Sequence, residues 1–168
     1  MASQDYMTRM QALPDREGPA LRMTPATPQE QLEHFPEDWQ LIVELGARAF
    51  ELPHVVERPT RIAPEGSRAL ALIDSVQANA NALLIDREFA HIHNPPIGSM
   101  HATLPEPYRS LALKKGWVLR HPFAVRGIGP SAAVFIFAPR NRQELQWATL
   151  LLELSHAWAT GQLTEGTS

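Results

Sequence analysis

The chain has 168 residues and a mass of 18.7 kDa, a length that suits one domain. With 44% hydrophobic and 20% charged residues it is not a disordered chain, and 15 Lys+Arg against 18 Asp+Glu leave none of the basic excess of a dedicated nucleic-acid binder. Cysteine is absent, which excludes a disulfide framework, a thiolate nucleophile and an Fe–S cluster, so any metal must be held by His and carboxylates.

The longest apolar run, residues 132–138 (AAVFIFA), has the length of a strand and falls well short of the roughly 20 residues that span a bilayer. The first residues lack an apolar core flanked by positive charge, so no secretory signal is expected, and a cytoplasmic location is. Five of the prolines fall within the first 36 residues; residues 1–26 read as a poorly ordered or surface arm, 27–162 as the domain and 163–168 as a tail.

Thr27-Pro28-Gln29-Glu30 has the form of a helix start, and Pro36-Glu37-Asp38 restarts one with acids in its first turn. Trp39, Ile42, Val43, Ala47 and Phe50 then recur at helical spacing as a buried face, until Pro53. Strand-like segments follow at 54–62 and 67–73, and 74–82 reads as either loop or short helix. Residues 88–93 and 99–104 form a hairpin around Asn94-Pro95-Pro96-Ile97-Gly98, and 105–115 form a short helix stopped by Gly116. Two further strands are predicted at 117–125 and 132–138. The last helix is capped by Asn141 with Glu144 at the capping-box position, buries Leu145, Ala148, Leu151, Leu152, Ser155 and Trp158, and stops at Gly161. The fold class is α+β: a single domain with a mainly antiparallel sheet and N-terminal, middle and C-terminal helices.

The chemistry concentrates in His91-Ile92-His93 and His101. Residues two apart on a strand face the same way, so His91 and His93 project from one face. If the turn pairs His93 with His101, three imidazoles share that face; a one-residue slip would send His101 to the other. His121, on a later strand, can join them. Three imidazoles suit a borderline divalent ion with open positions, and without a metal they can supply a general base near neutral pH. The bland alternative, with the rings solvated or bonded to backbone, stays open. Trp117 and Trp147 read as core, with Trp117 alternatively walling a pocket. Arg140 and Arg120 either bind an anionic group or pair with a nearby acid.

Several segments, in this order, resemble one family. Glu88-Phe89-Ala90-His91-Ile92-His93 followed by Gly98-Ser99-Met100-His101 is similar to a signature of acid, aromatic, H-x-H, Pro-containing turn and S-[LM]-H. Lys115-Gly116-Trp117 with Arg120-His121-Pro122 resembles its KGW…RHP segment, and Phe137-Ala138-Pro139-Arg140 with Glu144-Leu145 its YAPR…EL segment. This is the luciferase-domain family, which includes the fungal luciferases; the strong part of the resemblance covers residues 86–160. Two features depart from it. The turn here, Asn94-Pro95-Pro96-Ile97, lacks the acid of the family's Pro-Ser-Asp, and no counterpart of the fungal enzymes' N-terminal membrane segment is expected.

The resemblance implies O2-dependent oxidation of a hydroxylated aromatic or pyrone small molecule such as 3-hydroxyhispidin, through a peroxidic intermediate that loses CO2. It makes His91, His93, His101 and His121 the candidate catalytic residues, and Trp117, Arg120, Arg140 and Ser99 the candidate substrate contacts. The cofactor stays open between none beyond O2 and a divalent metal held by His91, His93 and His101. The expected partners are a small-molecule substrate and O2, with no nucleic acid and no membrane. The alternative is a non-catalytic small-molecule or metal-binding module of the same fold.

Overall fold

In the computed structural model, which describes residues 2–165, strands β1 (Val55–Arg58), β2 (Arg68–Leu72), β3 (Glu88–Ile92), β4 (Met100–Thr103), β5 (Val118–Arg120) and β6 (Ala133–Ile136) form one sheet. Their order is β1-β2-β3-β4-β6-β5 and every neighbouring pair is antiparallel. The helices are α1 (Ala2–Gln11), α2 (Gln40–Phe50), α3 (Tyr108–Lys114), α4 (Pro122–Val125) and α5 (Arg142–Ala159), with a short 3-10 turn at Ala80–Ala82. The domain is thus α+β, as its patterning predicts. Among the described residues no helix is long and apolar enough to cross a membrane.

Directly paired residues of neighbouring strands share a face, so the register assigns the two sides of the sheet. Leu70, Ala90, Ile92, Met100, Ala102, Val134, Ile136 and Val118 belong to the main core with residues of α1, α2, α3 and α5. On the opposite face, Ala69, His91, His101, Phe135 and Leu119 form one registered row across five strands.

Helix α5 follows its sequence signals closely. Asn141 caps it by accepting the Glu144 N–H at 2.9 Å, and all six predicted apolar positions are buried. Helix α2 is rotated from its expected face. Leu41, Ile42, Leu45, Gly46 and Ala49 are buried, while Trp39 is 51% and Val43 43% exposed. Two apolar stripes compete on this helix, and the inward one carries the small residues Gly46 and Ala49. A Cβ on Gly46 would meet the tip of the Arg68 guanidinium at 2.9 Å, so Arg68 lies directly over this glycine.

The start signal at Thr27 yields no helix. Prolines at 28 and 36 leave too short a run for a marginal helix. Instead the Thr24 hydroxyl donates to the Pro28 carbonyl and accepts the Glu30 N–H, and an antiparallel bridge pairs Met23 with Gln31. This segment lies over the histidine-bearing face. Leu21 and Met23 pack on Phe135, Phe137 and Leu119, and the Gln31 amide oxygen accepts the Ala138 N–H at 2.9 Å. Before it, α1 contacts α3, and Met10 and Leu13 are fully buried.

The strand expected over 117–125 ends at Arg120. Pro122 has no N–H for a ladder and takes the first position of α4 instead, with His121 as its cap.

Candidate functional site

The hairpin register differs from the expected one. His101 pairs with His91, and His93 lies opposite Ser99, whose carbonyl accepts the His93 N–H at 2.9 Å. The difference is two residues, an even number, so all three imidazoles still share one face. Ring centroids lie 4.7 Å apart for His91–His101, 5.0 Å for His93–His101 and 5.4 Å for His91–His93. The turn that sets this register is anchored on α2. Gly98 has φ +63°, and a Cβ there would lie 2.4 Å from Ile42 Cδ1.

Glu88 is three residues from His91 and by simple alternation would face away from it. The β2–β3 register shifts between Leu70 and Ala71, which pair with Ala90 and Glu88, leaving Phe89 as the extra residue of a bulge. The bulge resets the alternation and brings Glu88 to the histidine face. Its Oε1 sits 2.6 Å from His91 Nδ1, with both side chains buried, and also accepts the Thr60 hydroxyl at 3.3 Å.

Each remaining ring is held at one nitrogen. His93 Nδ1 lies 3.1 Å from the Ser99 hydroxyl. His101 Nε2 lies 3.1 Å from the Gln29 carbonyl oxygen, which can only accept, so that nitrogen carries the proton and Nδ1 a lone pair. His121 Nδ1 accepts the Phe123 N–H at 3.1 Å, so its Nε2–H is the donor to His101 Nδ1, also at 3.1 Å. Backbone groups at both ends therefore fix the tautomers of His121 and His101. His91 Nε2 and His93 Nε2 are buried with no hydrogen-bond partner among the described residues.

Burial, and after it the neighbouring His91, pushes His93 down to about 3. Burial, followed by His91 and Arg126, pushes His121 down to about 4. His101 lies well below the ordinary histidine value, again chiefly through burial. These three rings are neutral at pH 7.

His91, His101 and His121 line a cavity of about 280 Å³ whose other walls are largely apolar, including Ile62, Leu84, Ile85, Phe123 and Ile128. That volume is near the lower end of small-molecule sites. His93 is not on this wall; it borders a smaller cleft with Ile42, Val43, Arg68 and Asn94. Potential ligand atoms of His91, His93 and His101 all lie within 4.8 Å of one another.

The other candidates separate. Ser99 is in the cluster as the partner of His93. Trp117 and Arg140 border a different cleft, with Glu144 and Trp147. Trp117 is buried in the core and donates its Nε1–H to the Pro14 carbonyl at 2.7 Å, and Arg140 pairs with Glu144. Arg120 pairs in register with Val134, so it belongs to the face of the sheet opposite the imidazoles. Two contributors went unread in the sequence, and a third was read only in part. The Gln29 carbonyl and the Phe123 amide act through the backbone, which side-chain patterning does not report. Glu88 stands in the quoted motif, but the bulge that turns it toward His91 has no local signature.

Residues 86–155 match the Luciferase domain family. The luciferase of Neonothopanus nambi is 36% identical over 76 residues, covering 44% of this chain and 28% of that protein. The luciferase of Armillaria gallica is 28% identical over 165 residues, covering 88% of this chain and 61% of that protein. The chain thus spans less than two thirds of the length of these relatives. No solved structure matches significantly. The family match contains every histidine of the cluster, and over those residues this chain is similar to the luciferase-domain family and distantly homologous to the fungal luciferases.

Proposed function

We propose that the protein binds an aromatic or enolic small molecule with an acidic O–H in the cavity lined by His91, His101 and His121, and adds O2 to its anion. It is then an oxidoreductase of the fungal-luciferase kind. The observation that carries this reading is His91, whose Nδ1 is held by Glu88 while its Nε2, a buried lone pair without partner, belongs to a residue of the cavity wall. No Lys or Arg lines that cavity, so a substrate with an acidic hydroxyl suits it better than a carboxylate or phosphate.

In the ion-free protein the substrate's O–H gives its proton to His91 Nε2, and the Glu88 carboxylate stabilises the imidazolium through Nδ1–H, as carboxylate–histidine pairs do in triads. The apolar walls keep water from the anion. The carbanionic carbon of the enolate passes an electron to O2, and the two radicals join in a C–O bond. His91 returns its proton to the distal oxygen. The net change is addition of O2 to give a hydroperoxide, with no outside reductant.

The test is dissolved-oxygen uptake, with photon counting, when purified protein meets 3-hydroxyhispidin, alongside the His91→Ala and His101→Ala variants. Uptake above the uncatalysed rate that vanishes in both variants is expected. No uptake above that rate sinks the oxidation of this substrate; stoichiometric binding without turnover would then assign a binding module.

A further inference from the structure

We propose that His91, His93 and His101 form a binding site for a first-row divalent transition-metal ion of the zinc, cobalt or iron(II) kind. Their potential ligand atoms lie within 4.8 Å of one another and all three residues are buried. Each ring has one nitrogen anchored to a different acceptor: the Glu88 carboxylate, the Ser99 hydroxyl and the Gln29 carbonyl. That is the outer arrangement that orients histidine ligands at metal centres. The nitrogens left over on His91 and His93 are the two buried Nε2 atoms without a partner. Buried polar atoms are seldom left so, and two on neighbouring stacked rings point to a missing electrophile.

The tautomers assign the rest. His101 presents Nδ1, because Nε2 must keep its proton for Gln29. His121 is not a ligand. Its Nδ1 is taken by the Phe123 N–H, so its Nε2 is a donor. An ion at His101 Nδ1 releases that donor to meet an oxygen of water or substrate. Three imidazoles and no carboxylate oxygen suit a borderline ion and exclude Mg2+ and Ca2+. Glu88, joined to the cluster through His91, supplies a nearby negative charge. His91 and His101 line the cavity, so open coordination positions reach it.

The ion and a proton compete for the same His91 lone pair. When the ion is bound, its charge rather than His91 makes the substrate's hydroxyl acidic. Ion binding itself is independent of the oxidation proposed above and is measured without turnover.

The experiment uses the full chain, stripped with a chelator and dialysed against excess Co2+ or Zn2+. Metal content is read by mass spectrometry, Co2+ coordination by visible absorption, and the thermal midpoint with and without ion. A single ion per chain, Co2+ bands and a raised midpoint are expected. His93→Ala, which removes no side chain from the cavity lining and leaves the Glu88–His91 pair in place, should lose the ion. Glu88→Gln should weaken binding by about 10–100-fold while circular dichroism reports an intact fold. Absence of a stoichiometric ion and of any midpoint rise in the wild-type chain overturns the proposal, as does undiminished binding in His93→Ala. Ion binding without oxygen uptake would remove the oxidation and keep the site; uptake by a chain that takes up no ion would do the reverse.

Discussion

Replacing Glu144 by Gln should cost the fold about 3 kcal/mol, because it strands a buried arginine that arrives from the N-terminal segment. The Arg16 side chain is 4% exposed and that of Glu144 7%, and Arg16 Nη2 donates to Glu144 Oε2 at 3.0 Å. The same carboxylate accepts the Arg140 backbone N–H at 2.9 Å and its Nε–H at 2.8 Å. Arg16 also donates to the Ala138 carbonyl and lies 5.1–5.5 Å from the Phe137 and Trp117 ring centres, yet its Nε and Nη1 have no partner among the described residues. Breaking a buried pair on one side costs about 3–5 kcal/mol, and the low end applies since Gln keeps one acceptor and both rings remain. At about 2–4 °C per kcal/mol for a chain of this size, the thermal midpoint should fall by about 6–12 °C. Urea unfolding followed by tryptophan fluorescence gives the free energy. In an Arg16→Met background the same substitution should cost only about 1 kcal/mol, since no buried charge is left unpaired. A loss below about 1 kcal/mol in the wild-type background, or strict additivity of the two changes, would refute the docking of Arg16 on the last helix.

The same carboxyl sets part of the acid limb. Burial alone would raise Glu144, but hydrogen bonds from Arg140 and Arg16 outweigh it and hold the group below its ordinary value of 4.5. Its contribution is therefore present above that value and lost as pH falls through the lower folded one, and Glu144→Gln should flatten the stability–pH curve there. The buried histidines act earlier: His93 and His121 stay neutral in the fold down to about 3 and 4, so in the ion-free protein stability should begin to drop below about pH 6.5, where the unfolded chain takes up protons. His93→Gln should make that slope shallower by up to about 1.4 kcal/mol per pH unit, and an unchanged slope would mean that the ring is not buried neutral. In ion-free protein Glu88→Gln should lower the oxygen-uptake kcat by about 10²–10⁴-fold, and a near-normal kcat would take the proton-acceptor role from His91. Gly98→Val must displace Ile42 at a positive φ and should destabilise by about 1–3 kcal/mol; an unmoved urea midpoint would refute the contact between this turn and α2.

How much of this could be read in advance depended on whether the signal was local. Alternation marked the strands, and Asn141 with its periodic leucines marked α5, because each interaction there falls within a few residues of chain. Helix α2 was legible as a helix but not in phase. Both of its stripes are apolar, and the packing of α2 on α5 and on β1 and β2, which lies outside the helix's own sequence, decides between them. Helix α1 was missed because only Tyr6, Met7 and Met10 mark its apolar side, and Leu13 follows beyond its end. At Arg140 the sequence leaves two readings open, an anionic ligand or a nearby acid. A cation after Pro139 near a helix start suits either, and the carboxylate it binds is Glu144, four residues on in the first turn of α5.

The histidine cluster survived an error in register because its geometry has a parity. Any even shift of β4 against β3 keeps His101 on the face of His91 and His93, and the turn through Gly98 selects one of those shifts by docking on Ile42. Glu88 enjoys no such tolerance. It reaches His91 only because the extra residue Phe89 shifts the parity of the strand between them. The bulge turns Phe89 toward the helices, where its ring meets His156 edge-on and its carbonyl accepts the Ser155 hydroxyl. One irregular residue thus anchors β3 on α5 and sets the carboxylate on the imidazole. The partner on which the chemistry of His91 depends is therefore fixed by packing on the far side of the sheet.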